Sequence, residues 1–379
     1  MMEWFGEVCG GMFRDPPGNR RKVAGHWAAG ALACTLALLI GGGPPAAPQE
    51  KPLRIGVLAM GPRKVPALHC GPRDPQHPAP ETRADATPSN ALGFRDELEK
   101  LGYVEERPET KGRPGPRFVL DIRQGNTEAV KRFAQQFAQE RVDLIFAISN
   151  STVRVAQEAT RATPIPIVFP NVSDPVSDGF AQSLARPGGY LTGVSTQLVQ
   201  GAAKRVEVFK EMVPRLRRLL TIYQPEFRSA QLSLPQMREA AAALGIALTE
   251  RHANSRAELQ AALADARRDT VDGVIMTPDA VSFANADLLL ETSHERRVPV
   301  FGIVDFMADW GALGAYGPSD YQAGRRVAHY ADKIFRGTKP GDLPIEPSDP
   351  TFVINLKAAA CMGVAVPPAT LHQADRVIR

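Results

Sequence analysis

From Leu53 onward, short apolar runs rich in β-branched residues alternate with stretches whose apolar residues recur at helical spacing. The runs are LRIGVLAM from Leu53, FVLDI from Phe118, VDLIFAI from Val142, IPIVF from Ile165, RLLTIY from Arg218, DGVIM from Asp272 and VPVFGI from Val298. Continuous runs of this kind predict parallel strands covered by helices on both faces. Between them Val130, Phe133, Ala134 and Phe137 share one helical face, as do Leu259, Ala262, Leu263 and Ala266, and a Ser255-x-x-Glu258 capping box precedes the second set. Further on, Ser319-x-x-Gln322 caps a long helix with Val327, Tyr330, Ala331, Ile334 and Phe335 on one face and Gly337 as its stop. Strand and helix in alternation predict an α/β fold.

The pattern repeats itself. VDLIFAISNSTVRVAQEATRATPIPIVF from Val142 and VDGVIMTPDAVSFANADLLLETSHERRVPVF from Val271 share a layout: a strand led by Val-Asp, a polar turn, a helix, and a strand opening on aliphatic-Pro-aliphatic. Two doubly wound parallel-sheet lobes of one design follow, the alternative being a chance match of two generic βαβ units. The break at Arg186-Pro187-Gly188-Gly189, running on to Gly193, marks the join, with a helix starting near Gly201. We place the first lobe at residues 50–196 plus about 313–345, the long helix returning to it, and the second at 197–312 plus about 346–379. Residues 61–89, with seven prolines from Pro62 to Pro88, form one long irregular loop directly after the first strand.

Length supports this division, since 379 residues exceed a single typical core. The 45 Lys and Arg against 41 Asp and Glu leave +4, with signs mixed and no basic block dense enough to track a phosphate backbone, so nucleic acid is not an expected partner. Arg20, Arg21 and Lys22 precede the apolar run VAGHWAAGALACTLALLI of residues 23–40, and GGGPPAAP follows it. This is the layout of an export signal cleaved near Ala46 or Ala47, the alternative being an uncleaved anchor through residues 23–40. Cys34, after Ala31-Leu32-Ala33, lies inside the apolar run and makes a weak lipidation site. Four cysteines exclude a disulfide scaffold, and the plain expectation is a buried, unpaired Cys361 and an incidental Cys70 in the loop. His69, Cys70 and His77 lack a second ligand pair at metal spacing, so neither a metal nor any other cofactor is expected.

In open α/β sheets, ligands bind beyond the carboxyl ends of the strands. Those positions here are small and polar. Ser149, Asn150, Ser151 and Thr152 open a helix whose free N–H groups suit a carboxylate; Asn171, Ser173 and Asp174 follow Phe169. The second lobe supplies Tyr223 and Gln224, then Thr277 and Asp279, then Asp305. Donors on one lobe and acidic groups on the other fit a small zwitterion, although each Ser, Thr or Asp also reads as a helix cap or turn former. No G-x-S-x-G, G-x-x-x-x-G-K-[ST], H-E-x-x-H or G-x-G-x-x-G stands where it would serve catalysis, which favours binding over turnover.

Six blocks, in order, carry a family likeness: GFRDELEKLGYVE, RVDLIFAISNST, IPIVFPNVSDPVSDGFAQSLARPGGYLTGVST, AKRVEVFKEMVP, GALGAYGPSDYQAGRRVAHYADKIFRGTKPGDLPIEPS and FVINLKAAACMGVAVPPATLHQADRVI. From about Leu53 to the C-terminus the chain resembles the ABC-transporter substrate-binding proteins of the tryptophan/tyrosine type. The resemblance implies a type I periplasmic-binding-protein fold, with two α/β lobes joined by hinge strands, and a monomeric periplasmic chain that hands an amino acid or related carboxylate to a membrane ABC permease. Carried over by position, its pocket includes Asn150, Ser151, Thr152, Ser173 and Asp174 with Tyr223, Asp279 and Asp305. Two departures stand out: Ser149-Asn150-Ser151-Thr152 replaces an expected Gly-Thr turn, and the loop after the first strand is expanded. The same lobes would also serve as the sensory partner of a membrane receptor, and a cleft enzyme would have to rely on Asp174 or Asp279.

Overall fold

The computed structural model describes residues 51–60 and 87–379; the apolar run 23–40, Cys34, His69, Cys70, His77 and nearly all of the Pro-rich loop lie outside the described residues. In chain order the strands are β1 (Leu53–Met60), β2 (Val104–Glu105), β3 (Arg117–Gly125), β4 (Leu144–Ala147), β5 (Ile167–Val172), β6 (Leu191–Ser195), β7 (Arg218–Tyr223) and β8 (Ala247–His252). After them come β9 (Gly273–Met276), β10 (Val300–Gly302), β11 (Gly314–Pro318), β12 (Glu346–Pro347), β13 (Pro350–Asn355) and β14 (Arg376–Ile378). They build two seven-stranded sheets, ordered β12-β6-β5-β4-β1-β3-β2 and β14-β13-β11-β10-β9-β7-β8. Every pairing is parallel except β11 with β13. Each sheet reverses its winding once, between β1 and β4 in the first and between β7 and β9 in the second.

The repeated layout in the sequence becomes a repeated structure. β4 pairs with β5 through the Asn150–Ala159 helix, and β9 pairs with β10 through the helices Ala280–Ala284 and Ala286–Arg296. Each connection opens on a capped helix, by Ser149 in one lobe and Asp279 in the other. An aromatic pair packs in each core: Phe94 on Phe146 with centroids 4.8 Å apart in the first, and Phe209 stacked on Phe301 at 5.1 Å in the second.

The chain crosses between the sheets three times, after β6, after β11 and after β12. β6 and β12 run parallel to their neighbours and β11 runs parallel to β10, so each crossing leaves from a carboxyl edge, and antiparallel β13 begins at the carboxyl edge of β11. The carboxyl edges of the two sheets are therefore tied to each other. The first crossing lies at Thr196–Gly201, a few residues beyond the Pro-Gly-Gly break. Gly188 and Gly189, at φ of 72° and 67°, form a turn that remains on the first sheet, where the Gly188 N–H donates to the Gly341 carbonyl at 3.1 Å, and β6 follows it in the same layer. At the second crossing the Asp305 Oδ1 accepts the Asp320 N–H at 3.3 Å, and at the third the Ser348 N–H donates to the Ser195 carbonyl at 2.8 Å.

The Asp320–Phe335 helix follows the second crossing and lies on the first sheet, against the Ser89–Lys100 helix. These two helices meet backbone to backbone, because a Cβ on Gly93 would stand 2.0 Å from the Tyr321 carbonyl oxygen and one on Gly324 would stand 1.9 Å from that of Asn90. Beside this contact the Arg325 Nε donates to the Glu97 carboxylate at 2.6 Å, which holds that carboxyl below its ordinary range against the opposing effect of burial. One expectation is corrected here: Cys361, in the Leu356–Met362 helix, is disulfide-bonded. The other three cysteines lie outside the described residues, and a pairing over such sequence separation leaves no local pattern to read.

Two outcomes follow for this helix pair. Gly324→Ala should lower stability by roughly 1–3 kcal/mol through overpacking, read as a fall in the urea midpoint with an unchanged slope; an unchanged midpoint would contradict the close approach. Arg325→Met should destabilise at neutral pH, and the deficit should shrink as pH falls through the Glu97 ionisation, because a depressed carboxyl contributes stability only where it is ionised.

Candidate functional site

The facing carboxyl edges define the candidate site. In the first lobe, Ser149 and Thr152 close a capping box: the Thr152 Oγ1 accepts the Ser149 N–H at 2.8 Å and the Ser149 Oγ accepts the Thr152 N–H at 3.5 Å. Thr152 is fully buried and its hydroxyl also donates to the Ser149 carbonyl, so it shapes the turn from inside. Ser151 is exposed, its Oγ 3.0 Å from the Ser149 Oγ. Asn150 joins two strand ends, with Nδ2 donating to the Asp178 carboxylate and Oδ1 accepting the Ser173 N–H at 3.4 Å. Asp178 itself is pushed above its ordinary range by burial, which the Arg154 charge and the Asn150 hydrogen bond only partly offset.

Asp174 is exposed, and its Oδ1 accepts the Ser177 N–H at 3.0 Å. Partial burial pushes its carboxyl up, but hydrogen bonds from Ser177 and the charge of Arg228 leave it below the ordinary range. Arg228 opens the Arg228–Ala243 helix of the second lobe, so this electrostatic contact reaches across the gap between the sheets. Asn171 donates from Nδ2 to the Asp320 Oδ1 at 2.6 Å, while its Oδ1 is buried and has no partner.

In the second lobe, the Tyr223 hydroxyl lies 2.8 Å from the His252 Nε2 with the rings edge to face, and Ala230 and Leu234 pack around it. That contact turns Tyr223 toward the β8 edge. The next residue, Gln224, leaves its buried Oε1 without a partner. Asp279 is 2% exposed and caps its helix: Oδ1 accepts the Ser282 N–H at 2.8 Å and Oδ2 the Thr277 hydroxyl at 2.7 Å. Asp305 is buried at the second crossing. Burial raises both carboxyls above the ordinary range despite these hydrogen bonds, from Ser282 and Thr277 to Asp279 and from Ser319 and Asp320 to Asp305.

The structure thus brings Asn150 and Ser173 into one hydrogen-bonded cluster and places Ser151 and Asp174 on the open surface at the same edge. Thr152, Asp279 and Asp305 are committed to caps and the crossing, and Tyr223 is drawn aside. Among the described residues no group of three His, Cys, Asp or Glu could hold a metal ion. The three acids with raised carboxyls, Asp178, Asp279 and Asp305, are engaged with amide, backbone and hydroxyl donors, so the arrangement presents hydrogen-bonding groups and charge to a ligand. Sequence reading did not single out Arg228, which looks like a solvated residue opening a helix, or Asp178, which follows an ordinary turn.

Known proteins agree with this architecture. The family model described as ABC transporter substrate binding protein matches residues 85–378. A tyrosine-binding protein of Clostridioides difficile strain R20291 is 23% identical over 257 residues, 67% of this chain and 73% of that one. A conserved domain protein of Vibrio cholerae is similar in structure at a TM-score of 0.64 and 25% identity, covering 86% of this chain and 100% of that one. A Streptococcus pneumoniae ABC domain solved in complex with L-Trp gives a TM-score of 0.63 at 20% identity, again covering 86% and 100%. The family match spans well over half of the 379 residues and covers every element of the two lobes except β1, so the chain belongs to the ABC transporter substrate-binding proteins and is a small-ligand binding protein, not an enzyme.

Proposed function

We propose that this protein, exported to the periplasm, captures an amino acid or a related small carboxylate between its two lobes and delivers it to a membrane ABC permease as a monomer. The observation that carries this reading is the facing of the two carboxyl edges, with hydrogen-bonding groups on both. The first lobe offers Ser151, the idle Asn171 Oδ1 and the Asn150–Ser173 cluster; the second offers the idle Gln224 Oε1 and the acidic surroundings of Asp279 and Asp305. A ligand ammonium has acceptors to meet, and its carboxylate has the start of the Asn150–Ala159 helix. The tyrosine-binding relative and the neighbour holding L-Trp support an amino acid as the ligand class. Closure needs a ligand that binds the closed form better than the open one, and a molecule reaching groups on both edges meets that condition.

A thermal-unfolding screen against amino acids, other small carboxylates, sugars and nucleosides tests the reading. A true ligand at 100 times its dissociation constant adds about 2.7 kcal/mol, a rise of roughly 2–4 °C for a chain of this size. Ser151→Ala with Asp174→Ala should reduce that rise at a cost of roughly 1 kcal/mol or less to the unliganded protein, chiefly through the lost Ser177 N–H contact, since both side chains are exposed. A rise only with sugars or nucleosides would contradict the amino-acid class, and turnover of any compound would contradict a purely binding role.

A further inference from the structure

A charge without a counter-ion among the described residues lies beside the first crossing. Arg205, in the Ala202–Met212 helix, is 1% exposed and is the largest fully buried side chain among the described residues. Its Nη2 donates to the Leu198 carbonyl at 2.5 Å, while Nε and Nη1 have no partner. Burial lowers the guanidinium pKa to about 10, with only Tyr316 pulling the other way. Burying a cation with idle donors and no anion beside it is among the costliest arrangements a fold can hold.

The guanidinium borders a cavity of about 210 Å³. Thr196, from the first crossing, and Ser348, from the third, line the same cavity, and each has a buried hydroxyl without a partner. Lys204 and Tyr316 also border it, and no acidic side chain among the described residues does. The missing side chain of Gly201 keeps the guanidinium reachable, since a Cβ there would stand 3.0 Å from the Nη1. Idle donors and net positive charge call for an anion, and the volume admits a small one with room to spare.

We propose that this hinge cavity is an oxyanion site, in which a carboxylate-sized anion pairs with the Arg205 Nε and Nη1 and accepts hydrogen bonds from Thr196 and Ser348. The anion neutralises the buried guanidinium, and its oxygens occupy donors that the protein leaves idle. Because Thr196 and Ser348 belong to different crossings, an anion held by both links the first connection between the lobes to the third. None of the strand-end residues assigned to the amino-acid ligand lines this cavity, although it adjoins them through the Thr196 N–H, which donates to the Val172 carbonyl at 3.0 Å, and the proposal does not depend on that assignment.

The test is thermal unfolding of the whole protein titrated with sodium acetate, sodium phosphate or sodium chloride, at constant ionic strength balanced by a bulky organic sulfonate. A saturable rise in midpoint with acetate or phosphate is expected, the stronger of the two identifying a carboxylate or an inorganic oxyanion as the better occupant. Arg205→Met should abolish the saturable part. If that variant fails to fold, Thr196→Val combined with Ser348→Ala should raise the half-saturating anion concentration about tenfold or more. Ser151→Ala with Asp174→Ala should leave the anion response unchanged even where it removes the amino-acid response. The proposal is overturned by the absence of any saturable rise, by chloride acting as strongly as the oxyanions, by an undiminished response in the Arg205 or paired hydroxyl variants, or by loss of the response in the strand-end variant.

Discussion

Everything in this molecule depends on one topological constraint: the chain passes between the sheets only at their carboxyl edges. In a parallel sheet the carboxyl ends of the strands meet the amino ends of the following helices, so a single edge gathers loop side chains, unpaired N–H groups and the positive ends of helix dipoles. Joining two sheets by that edge makes the most polar rim of each lobe the wall of a shared gap. It also confines the connections to three short segments, of which two are held by the Asp305–Asp320 and Ser195–Ser348 hydrogen bonds. A binding cleft and its hinge are then the same region of the chain.

The physical chemistry of that rim divides its residues between holding and offering. Thr152 and Asp279 satisfy helix starts from buried positions, and the raised carboxyl of Asp279 is the cost of placing an acid where solvent cannot reach it. Ser151 and Asp174 face outward, while Asn171 and Gln224 retain buried acceptors that no protein group uses. Buried polar atoms normally find partners, and the idle acceptors of Asn171 and Gln224, one on each rim, are those the proposed function assigns to the ligand. Arg205 applies the same reasoning to a cation at the hinge.

Much of this was legible in the sequence, for definite reasons. The seven apolar runs became β1, β3, β4, β5, β7, β9 and β10, since strands buried on both faces need unbroken apolar stretches. Ser255 and Ser319 cap their helices by accepting the Glu258 and Gln322 N–H groups, but the Ser255 box does not close, because the Glu258 carboxylate takes the Asn254 N–H instead; Gly337 ends its helix at a φ of 97°. The strands that escaped notice are short, mixed in polarity or glycine-bearing, apart from β13, which carries an unrecognised FVI run. β8 reads ALTERH, mixed in polarity because it forms an edge, and β6 and β11 carry glycines that look like breaks. At Gly193 and Gly317 an added Cβ would meet the carbonyl oxygens of Phe169 and Ile303 at 2.1 and 1.8 Å, so these glycines serve close packing. The polar residues singled out do stand at the carboxyl ends of strands, but the turning of Tyr223 toward His252 and the burial of Arg205 depend on tertiary neighbours that local spacing does not encode.

The most direct measurement of the central claim is a map of backbone amide chemical shifts as the amino acid that stabilises the protein is titrated in. Capture between the carboxyl edges predicts perturbations on both lobes, around Asn150–Ser151 and Asn171–Asp174 on one side and around Gln224 and Thr277–Asp279 on the other, with the three crossings shifting as the lobes close. Perturbations confined to one lobe, or to the amino-terminal edge of either sheet, would contradict it.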